Sequence, residues 1–514
     1  MYDHHELCHD LLQNINALDT LEIFPSRIHN NGTGLFAKHV IPEGSEIFRS
    51  TPLVACVADG RQAITCDYCF ASKATNFNGV DNMRPKYAVV TILEISLCMQ
   101  CGACGYCSMD CYMKAWEKYH QFECNALNQF PTAGYWIRML WRVLAMHKQG
   151  AFSEQEWRAL RHLWGHRGQN PFGISSHTIV TIAMDAKTLM QSELGDETIQ
   201  DLYCKILSSD MAMKLPGEES YGGMLDLVGS LINHSCDPNA VVFFERGQLR
   251  LQSLKPIHAG DEITQTCADL KAGVFMRRRE LWARSSFVCN CVRCVAEDML
   301  ISVLSINRGF STNAFADTEI KIVNLRNHVF TNNIYTADQV EATLDGLTRA
   351  IFPTRPWPDT LKPIGIMKFL LARLYISSNN HRQAAMHALQ GCLSSTHRSG
   401  PEWVNSLHVF LLYLEQFIVA LGAAQVDILG LRNFRYFFNG LLNELVVQVN
   451  KVYGIDTRYT TAIVTWYSNA LSTMEPPLPG QQGFSYTFGS AQEGILRWAG
   501  VDKEMGFILS IAGG

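Results

Sequence analysis

The sequence predicts an α+β chain: a core of short strands, interrupted by a cysteine-rich insertion and a helical one, then a separate helical domain. Three observations carry that expectation. Between Cys66 and Cys124, seven cysteines and His120 fall in four close pairs at the spacing of metal ligands. Far downstream, Cys289, Cys291 and Cys294 form a tight C-x-C-x2-C group, with Cys236 as a remote fourth thiol. Beyond Asp298, strand signals fade and apolar residues recur at helical spacing.

At 514 residues and 47% hydrophobic content, the chain can build two or more folded domains. Its net charge is -5, and no basic run exceeds Arg277-Arg278-Arg279, so a nucleic-acid binder is not expected. That arginine triplet, followed by Glu280, reads as the solvated face of a helix. The most apolar helical stretch, Leu407 to Ala424, includes His408, Glu415 and Gln416. A membrane span needs about 20 mostly apolar residues, so this stretch reads as a buried helix and no membrane segment is expected. Met1 to Thr20 carries Asp3, Glu6, Asp10 and Asp19 with no apolar run, which does not read as a signal peptide.

The paired donors are Cys66-x2-Cys69, Cys98-x2-Cys101, Cys107-x3-Cys111 and His120-x3-Cys124, enough for two tetrahedral zinc ions. Cys104 turns the second pair into a C-x2-C-x2-C triplet, so spacing alone leaves the choice among Cys98, Cys101 and Cys104 open. Cys236 with Cys289, Cys291 and Cys294 makes a third, four-thiolate set that would tie distant segments together. A disulfide framework would need an oxidising compartment, which the polar N-terminus does not suggest. Six of the seventeen cysteines then remain as free thiols, namely Cys8, Cys56, Cys104, Cys204, Cys267 and Cys392, in a reducing nucleus and/or cytoplasm.

In chain order, Leu21 to Phe24 and Ser45 to Val57 have strand character, and Asn30 to Leu35 reads as a tight glycine turn between them. Asn125 to about Leu215 is helical, with Tyr135, Met139, Arg142-Val143 and Met146 on one periodic face and a second helix from Thr178 to Leu189. Val241 to Phe244, Leu249 to Ser253 and Glu262 to Thr266 read as short strands, broken at Gly247 and Gly260. Pro353-Thr354-Arg355-Pro356-Trp357-Pro358 is a proline-rich break. After it, Leu371 to Tyr375 and Ala384 to Leu389 follow the spacing of one tetratricopeptide-like helix pair, an ordinary helical bundle being the alternative.

Asn233-His234-Ser235-Cys236-Asp237-Pro238-Asn239 and the later Cys289-x-Cys291-x-Arg293-Cys294 resemble the SET domain of protein lysine methyltransferases. The ordered ligands from Cys66 to Cys124, with Tyr106 before Cys107 and Trp116 before His120, resemble a MYND finger. Together the chain resembles a divergent member of the SET-and-MYND (SMYD) family over roughly residues 20 to 298. The finger resemblance implies a cross-brace, Cys66, Cys69, Cys107 and Cys111 on one ion and Cys98, Cys101, His120 and Cys124 on the other. Here the loop from Phe70 to Leu97 is longer than usual. The implied organisation is an N-terminal part of the SET domain (1-65), the finger (66-124), a helical insertion (125-215), the SET core (216-275), a post-SET zinc segment (276-298) and a helical C-terminal domain (299-514).

The resemblance also implies S-adenosylmethionine and three zinc ions as cofactors. Cofactor contacts would come from Gly32, Thr33 and Gly34 in the first loop, from Ser209, where relatives carry an asparagine, and from Asn233, His234 and Phe287. A protein or peptide substrate is implied, histone among the classes, with the finger taking proline-rich peptides and the chain acting as a monomer. Methyl transfer to lysine needs an aligned, neutral amine, because a free lysine holds its proton to about pH 10.4. In the family a tyrosine hydroxyl directs that amine, at the end of a strand that here reads Gly260-Asp261-Glu262-Ile263-Thr264-Gln265-Thr266-Cys267. Cys267 stands at the tyrosine's place, and a thiol is shorter than a phenol and a weaker donor. A lysine methyltransferase is therefore expected beside two other readings, a non-catalytic scaffold and a SET fold recruited to another acceptor. Tyr221, ahead of Gly222-Gly223, reads as a plain loop tyrosine, its use as a stand-in for the missing phenol being the alternative.

Overall fold

The computed structural model describes all residues except 1-3, 29-31, 73-92, 164-172, 215-219, 333, 355-356, 359-360, 396-397, 425-427, 503-505 and 508-514. Most of the long finger loop, and Arg355-Pro356 of the proline-rich break, thus lie outside the described residues. The chain forms two compact units, the first built from Met1–Thr75, Ala88–Cys267 and Glu280–Cys289, the second from Ala268–Arg279 and Asn290–Gly514.

The strands of the first unit are β1 Leu21–Pro25, β2 Thr33–Ala37, β3 Glu46–Ser50, β4 Val54–Val57, β5 Ser96–Leu97, β6 Gly105–Tyr106, β7 Met211–Met213, β8 Gly222–Leu225, β9 Asn233–His234, β10 Ala240–Glu245, β11 Gln248–Ser253 and β12 Thr264–Gln265. They pair as small sheets, β1-β2, β10-β11-β3, β4-β8-β7 and β5-β6, all antiparallel, while β9 and β12 run parallel. Arg246 and Gly247, both at positive φ, turn the β10-β11 hairpin, the geometry a two-residue hairpin loop needs to follow strand twist.

The segment read as a tight turn, Asn30 to Leu35, is different in the structure. Thr33–Ala37 is itself a strand, registered from Leu21↔Ala37 to Pro25↔Thr33, and the glycine at 34 lies inside it. Close approach, not turn geometry, requires that glycine: a Cβ there would collide with Glu262 Oε1. The strand expected over Glu262 to Thr266 is cut to Thr264–Gln265, because the residues before it bond to the edge of β2. Gly260 N–H donates to Ala37 O at 2.7 Å and Ile263 N–H to Leu35 O at 2.7 Å.

The helix Tyr135–Lys148 buries Met139, Leu140, Val143 and Leu144 at helical spacing, but also Arg138 and Arg142. Three further helices, Glu154–His162, Ser176–Met190 and Asp196–Ser209, follow in the helical insertion, the first two capped by the Ser153 and Ser175 hydroxyls.

In the second unit, Ile364–Ser377 and His381–Leu393 form an adjacent helix pair, the second capped by Asn380. Gly391 lets the two approach so closely that a Cβ would stand 3.1 Å from the Phe369 ring. Helices Gly400–Ala424, Ile428–Tyr453, Arg458–Leu471 and Phe484–Trp498 follow. By length and composition Gly400–Ala424 could cross a membrane. Its Trp403, Leu407, Phe410, Leu411 and Leu414 are buried in the unit, His408 Nδ1 shares a 2.8 Å hydrogen bond with Tyr459 Oη, and Trp466 donates to Glu415 at 2.9 Å, as in a core helix.

Candidate metal centres and cofactor site

The finger's donors converge in two sets of four. Cys66, Cys69, Cys107 and Cys111 bring their sulfurs within 4.8 Å of one another, and so do the donor atoms of Cys98, Cys101, His120 and Cys124. Pairs within the sets are 3.5 Å (Cys69–Cys107), 3.6 Å (Cys107–Cys111) and 3.8 Å (Cys98–Cys124) apart. A regular tetrahedron with Zn–S of about 2.3 Å separates its sulfurs by about 3.8 Å, whereas a disulfide needs about 2.05 Å. The donor sets fit zinc.

Local structure explains the convergence. Ser108 caps the helix Met109–Ala115, placing Cys107 just before it and Cys111 one turn in. One π-helical turn, Trp116–His120, then leads into the helix Gln121–Gln129, so His120 and Cys124 share a face. The Cys98–Cys101 turn closes through Gly102 N–H to Cys98 O at 2.8 Å. Cys104 stays outside the tetrad, buried beside His120 and Glu123. Hydrogen bonding to Cys101 and burial push its thiol well up, while the same bond draws Cys101 down to about 3.

Behind the second tetrad stands a buried ion cluster that spacing did not reveal. Glu123 Oε1 lies 3.3 Å from His120 Nδ1 and accepts from Arg142 at 2.7 Å; Arg142 also donates to Asp67 at 2.6 Å and to Ala55 O at 2.5 Å. The Arg142 guanidinium lies 3.8 Å over the Tyr119 ring. Burial works against the Glu123 carboxylate, but Arg142 and His120 hold it down to about 2. Carboxylates in this position orient a ligating histidine. The signal was present in the sequence as two arginines on the apolar face of a helix.

Of the third donor set expected from the sequence, Cys236 and Cys289 belong to the first unit and Cys291 and Cys294 to the second. Arg277 donates to Cys294 Sγ at 3.5 Å and to Glu297 at 2.9 Å. The solvated face expected for the arginine triplet is thus corrected at Arg277, which is fully buried, its charge directed at a thiolate and a carboxylate.

On β9, held parallel to β12, Asn233 and His234 lead into Cys236. Asn233 Nδ2 donates to Thr33 O at 3.0 Å and to Glu262 Oε1 at 2.7 Å, joining it to the glycine segment. His234 Nδ1 accepts the Cys267 amide at 2.9 Å, and its Nε2 is 3.2 Å from Cys236 Sγ. Because Nδ1 accepts an amide proton, we assign the neutral tautomer with its proton on Nε2. The Phe287 ring meets His234 edge-on at 6.2 Å. Thr33, Gly34, Asn233, His234, Phe287 and Cys267 are therefore brought together, while Gly32, next to Thr33, accepts from Ser26 N–H at 2.8 Å through its carbonyl.

Ser209 ends its helix without a hydrogen bond to any of these residues among those described. Its neighbour Asp210 is the connected group, accepting from Tyr135 Oη and Trp136 Nε1, each at 2.8 Å, while its carbonyl takes the Arg284 guanidinium. Cys267 is half-buried; burial opposes its thiolate, but His234 and Arg284 outweigh it and move the thiol below its ordinary value. Tyr221 is a core aromatic, buried with its ring 6.1 Å from Phe244.

The SET domain family matches residues 32–267. The mouse protein "Histone-lysine N-methyltransferase SMYD3" is 26% identical over 292 residues, 55% of this chain and 63% of that protein. The fission-yeast (Schizosaccharomyces pombe) "SET domain and MYND-type zinc finger protein 6" is 24% identical over 267 residues, 51% of this chain and 50% of that one. A SET and MYND domain-containing protein of Dictyostelium discoideum is 37% identical over 109 residues, 20% of this chain and 31% of its own. The chain thus spans under two thirds of the length of these relatives. With a match to the SET domain family, a finger whose donors converge in a cross-brace and a helical C-terminal region, this chain is similar over about half its length to SET-and-MYND proteins.

Proposed function

We propose that this chain is an S-adenosylmethionine-dependent methyltransferase acting on lysine in a protein substrate, histone among the classes, with three structural zinc ions. The observation that carries this reading is the junction of the Thr33–Gly34 segment with Asn233, whose carboxamide is bonded to Thr33 O and Glu262. One feature there fits the cofactor: Asn233 donates through Nδ2 to Thr33 O and Glu262, while its Oδ1 accepts no hydrogen bond from a described residue. Thr33, Gly34, Asn233, His234 and Phe287 would hold it. When bound, the cofactor supplies a methyl group on a sulfonium, ready for in-line displacement by an amine.

The chain's own part is alignment. The hydrogen bond from Cys267 N–H to His234 ties residue 267 to the asparagine-histidine segment, which supports reading the thiol as the counterpart of the family's phenol. Without that phenol, another group directs the amine, and transfer is slow.

The three donor sets would hold zinc as folding elements, since each offers four soft ligands. Leu97, Met99, Met109 and Met113 are exposed on the finger and would take a proline-rich peptide. Monomeric action in the nucleus and/or cytoplasm belongs to the same reading.

The test is calorimetric titration of zinc-loaded protein with S-adenosylmethionine, then methyl transfer from labelled cofactor by the wild type, Cys267→Tyr and Asn233→Ala. Saturable binding, with transfer raised by Cys267→Tyr and abolished by Asn233→Ala, is expected; no binding by the wild type overturns the reading.

A further inference from the structure

Glu262 gathers more of the cofactor edge than any residue predicted to touch the ligand. Its Oε1 accepts from Ser26 Oγ at 2.8 Å and from Asn233 Nδ2 at 2.7 Å, and its Oε2 accepts from Arg27 N–H at 2.8 Å. Its backbone pairs with Phe36 of β2, and its carbonyl takes Asn239 Nδ2 at 2.9 Å. The carboxylate is buried, and the space it fills is the space a Cβ on residue 34 would need. One side chain thus connects the end of β1, the glycine segment of β2 and the asparagine of β9.

We infer that Glu262 is a positioning residue of the cofactor site, which sets the Asn233 carboxamide so that its oxygen receives the α-ammonium of the cofactor's amino-acid end. The inference rests on the methyltransferase reading above. An ionised carboxylate only accepts hydrogen bonds, so the atom of Asn233 facing Glu262 must be Nδ2. Both Nδ2 protons are then consumed, one by Glu262 and one by Thr33 O, and the amide cannot flip. Oδ1 is left as an acceptor-only group. Among the donors of S-adenosylmethionine, the α-ammonium alone carries formal positive charge. A buried carboxylate one residue behind the acceptor favours that cation over a neutral hydroxyl or the adenine amine.

Replacement by glutamine keeps the shape but offers Arg27 or Asn233 an N–H where an acceptor stood, and it frees the carboxamide to turn. The experiment uses the full zinc-loaded chain and two probes, S-adenosylhomocysteine, which has the amino-acid end, and methylthioadenosine, which lacks it. Loss of a hydrogen bond to a charged group predicts that Glu262→Gln weakens S-adenosylhomocysteine on the order of tenfold or more while leaving methylthioadenosine unchanged. Should the glutamine variant fail to fold, Ser26→Ala loosens the same carboxylate from its exposed side and is expected to produce a smaller, equally selective loss. Equal weakening of both probes would mean a general packing role and overturns the inference, as does unchanged binding of S-adenosylhomocysteine. A wild type that binds neither probe overturns the methyltransferase reading, and the inference with it.

Discussion

Replacing Arg142 by methionine isolates the buried ion cluster under the finger. Methionine keeps an unbranched stem over Tyr119, so the change removes charge and hydrogen bonds more than packing. What is lost is a guanidinium that bonds Ala55 O, Asp67 and both oxygens of Glu123, in a place where the three charged side chains are at most 2% exposed. Two carboxylates are left without their cation, and breaking a buried pair in this way costs about 3–5 kcal/mol. Because the chain has two compact units, a whole-chain unfolding curve would mix transitions. Amide hydrogen exchange of the finger, followed by mass spectrometry, reads the local cost. At about 1.4 kcal/mol per factor of ten, exchange from Cys66 to Cys124 should accelerate by roughly two to four orders of magnitude. Adding Glu123→Gln should recover part of that loss, since one stranded charge disappears. Acceleration below about tenfold, or a double variant worse than the sum of the singles, would refute the assignment of Arg142 as the charge that holds His120 in place through Glu123.

Metal analysis of the full chain should find three zinc ions, with Cys101→Ser losing one and Cys104→Ser keeping all three, because Cys104 stands outside the tetrad. Gly34→Ala should raise the dissociation constant for S-adenosylhomocysteine at least about tenfold, since the added methyl meets Glu262 Oε1 and comes within 3.1 Å of Asn233 Nδ2. Glu319, buried where it accepts Met276 N–H at 3.0 Å, is raised by burial from 4.5 to about 7. Between those values the folded chain holds a proton that the unfolded chain releases, so stability is greatest below 4.5 and falls by roughly 3 kcal/mol as pH rises through 7. Glu319→Gln should remove that dependence, its melting temperature rising relative to the wild type from about pH 5 to about pH 8.

The sequence by itself determined which donors could share an ion. Cysteine spacing at two to four residues is a local property, set by knuckle turns and single helical turns, and the structure brings the eight expected finger donors into two groups of four. The choice of Cys98 and Cys101 over Cys104, open on spacing, was decided by the fold: Cys98 N–H bonds to Cys104 O at 2.8 Å, and the third thiol lies beside His120 and Glu123 outside the tetrad. Helices with apolar faces, Tyr135–Lys148 and the Ile364–Ser377 and His381–Leu393 pair, were equally legible, because a 3.6-residue period is written in the chain. Strand limits were not. The end of the Glu262–Thr266 segment depends on hydrogen bonds to β2, more than two hundred residues away, and the glycine at 34 answers to a carboxylate rather than to a turn. Only the tertiary structure decided which charges are buried. Arg142, Arg277, Glu123 and Glu262 look like surface residues in sequence, yet each is enclosed because a partner from a distant segment compensates its desolvation, and no local pattern records a partner that folding alone supplies.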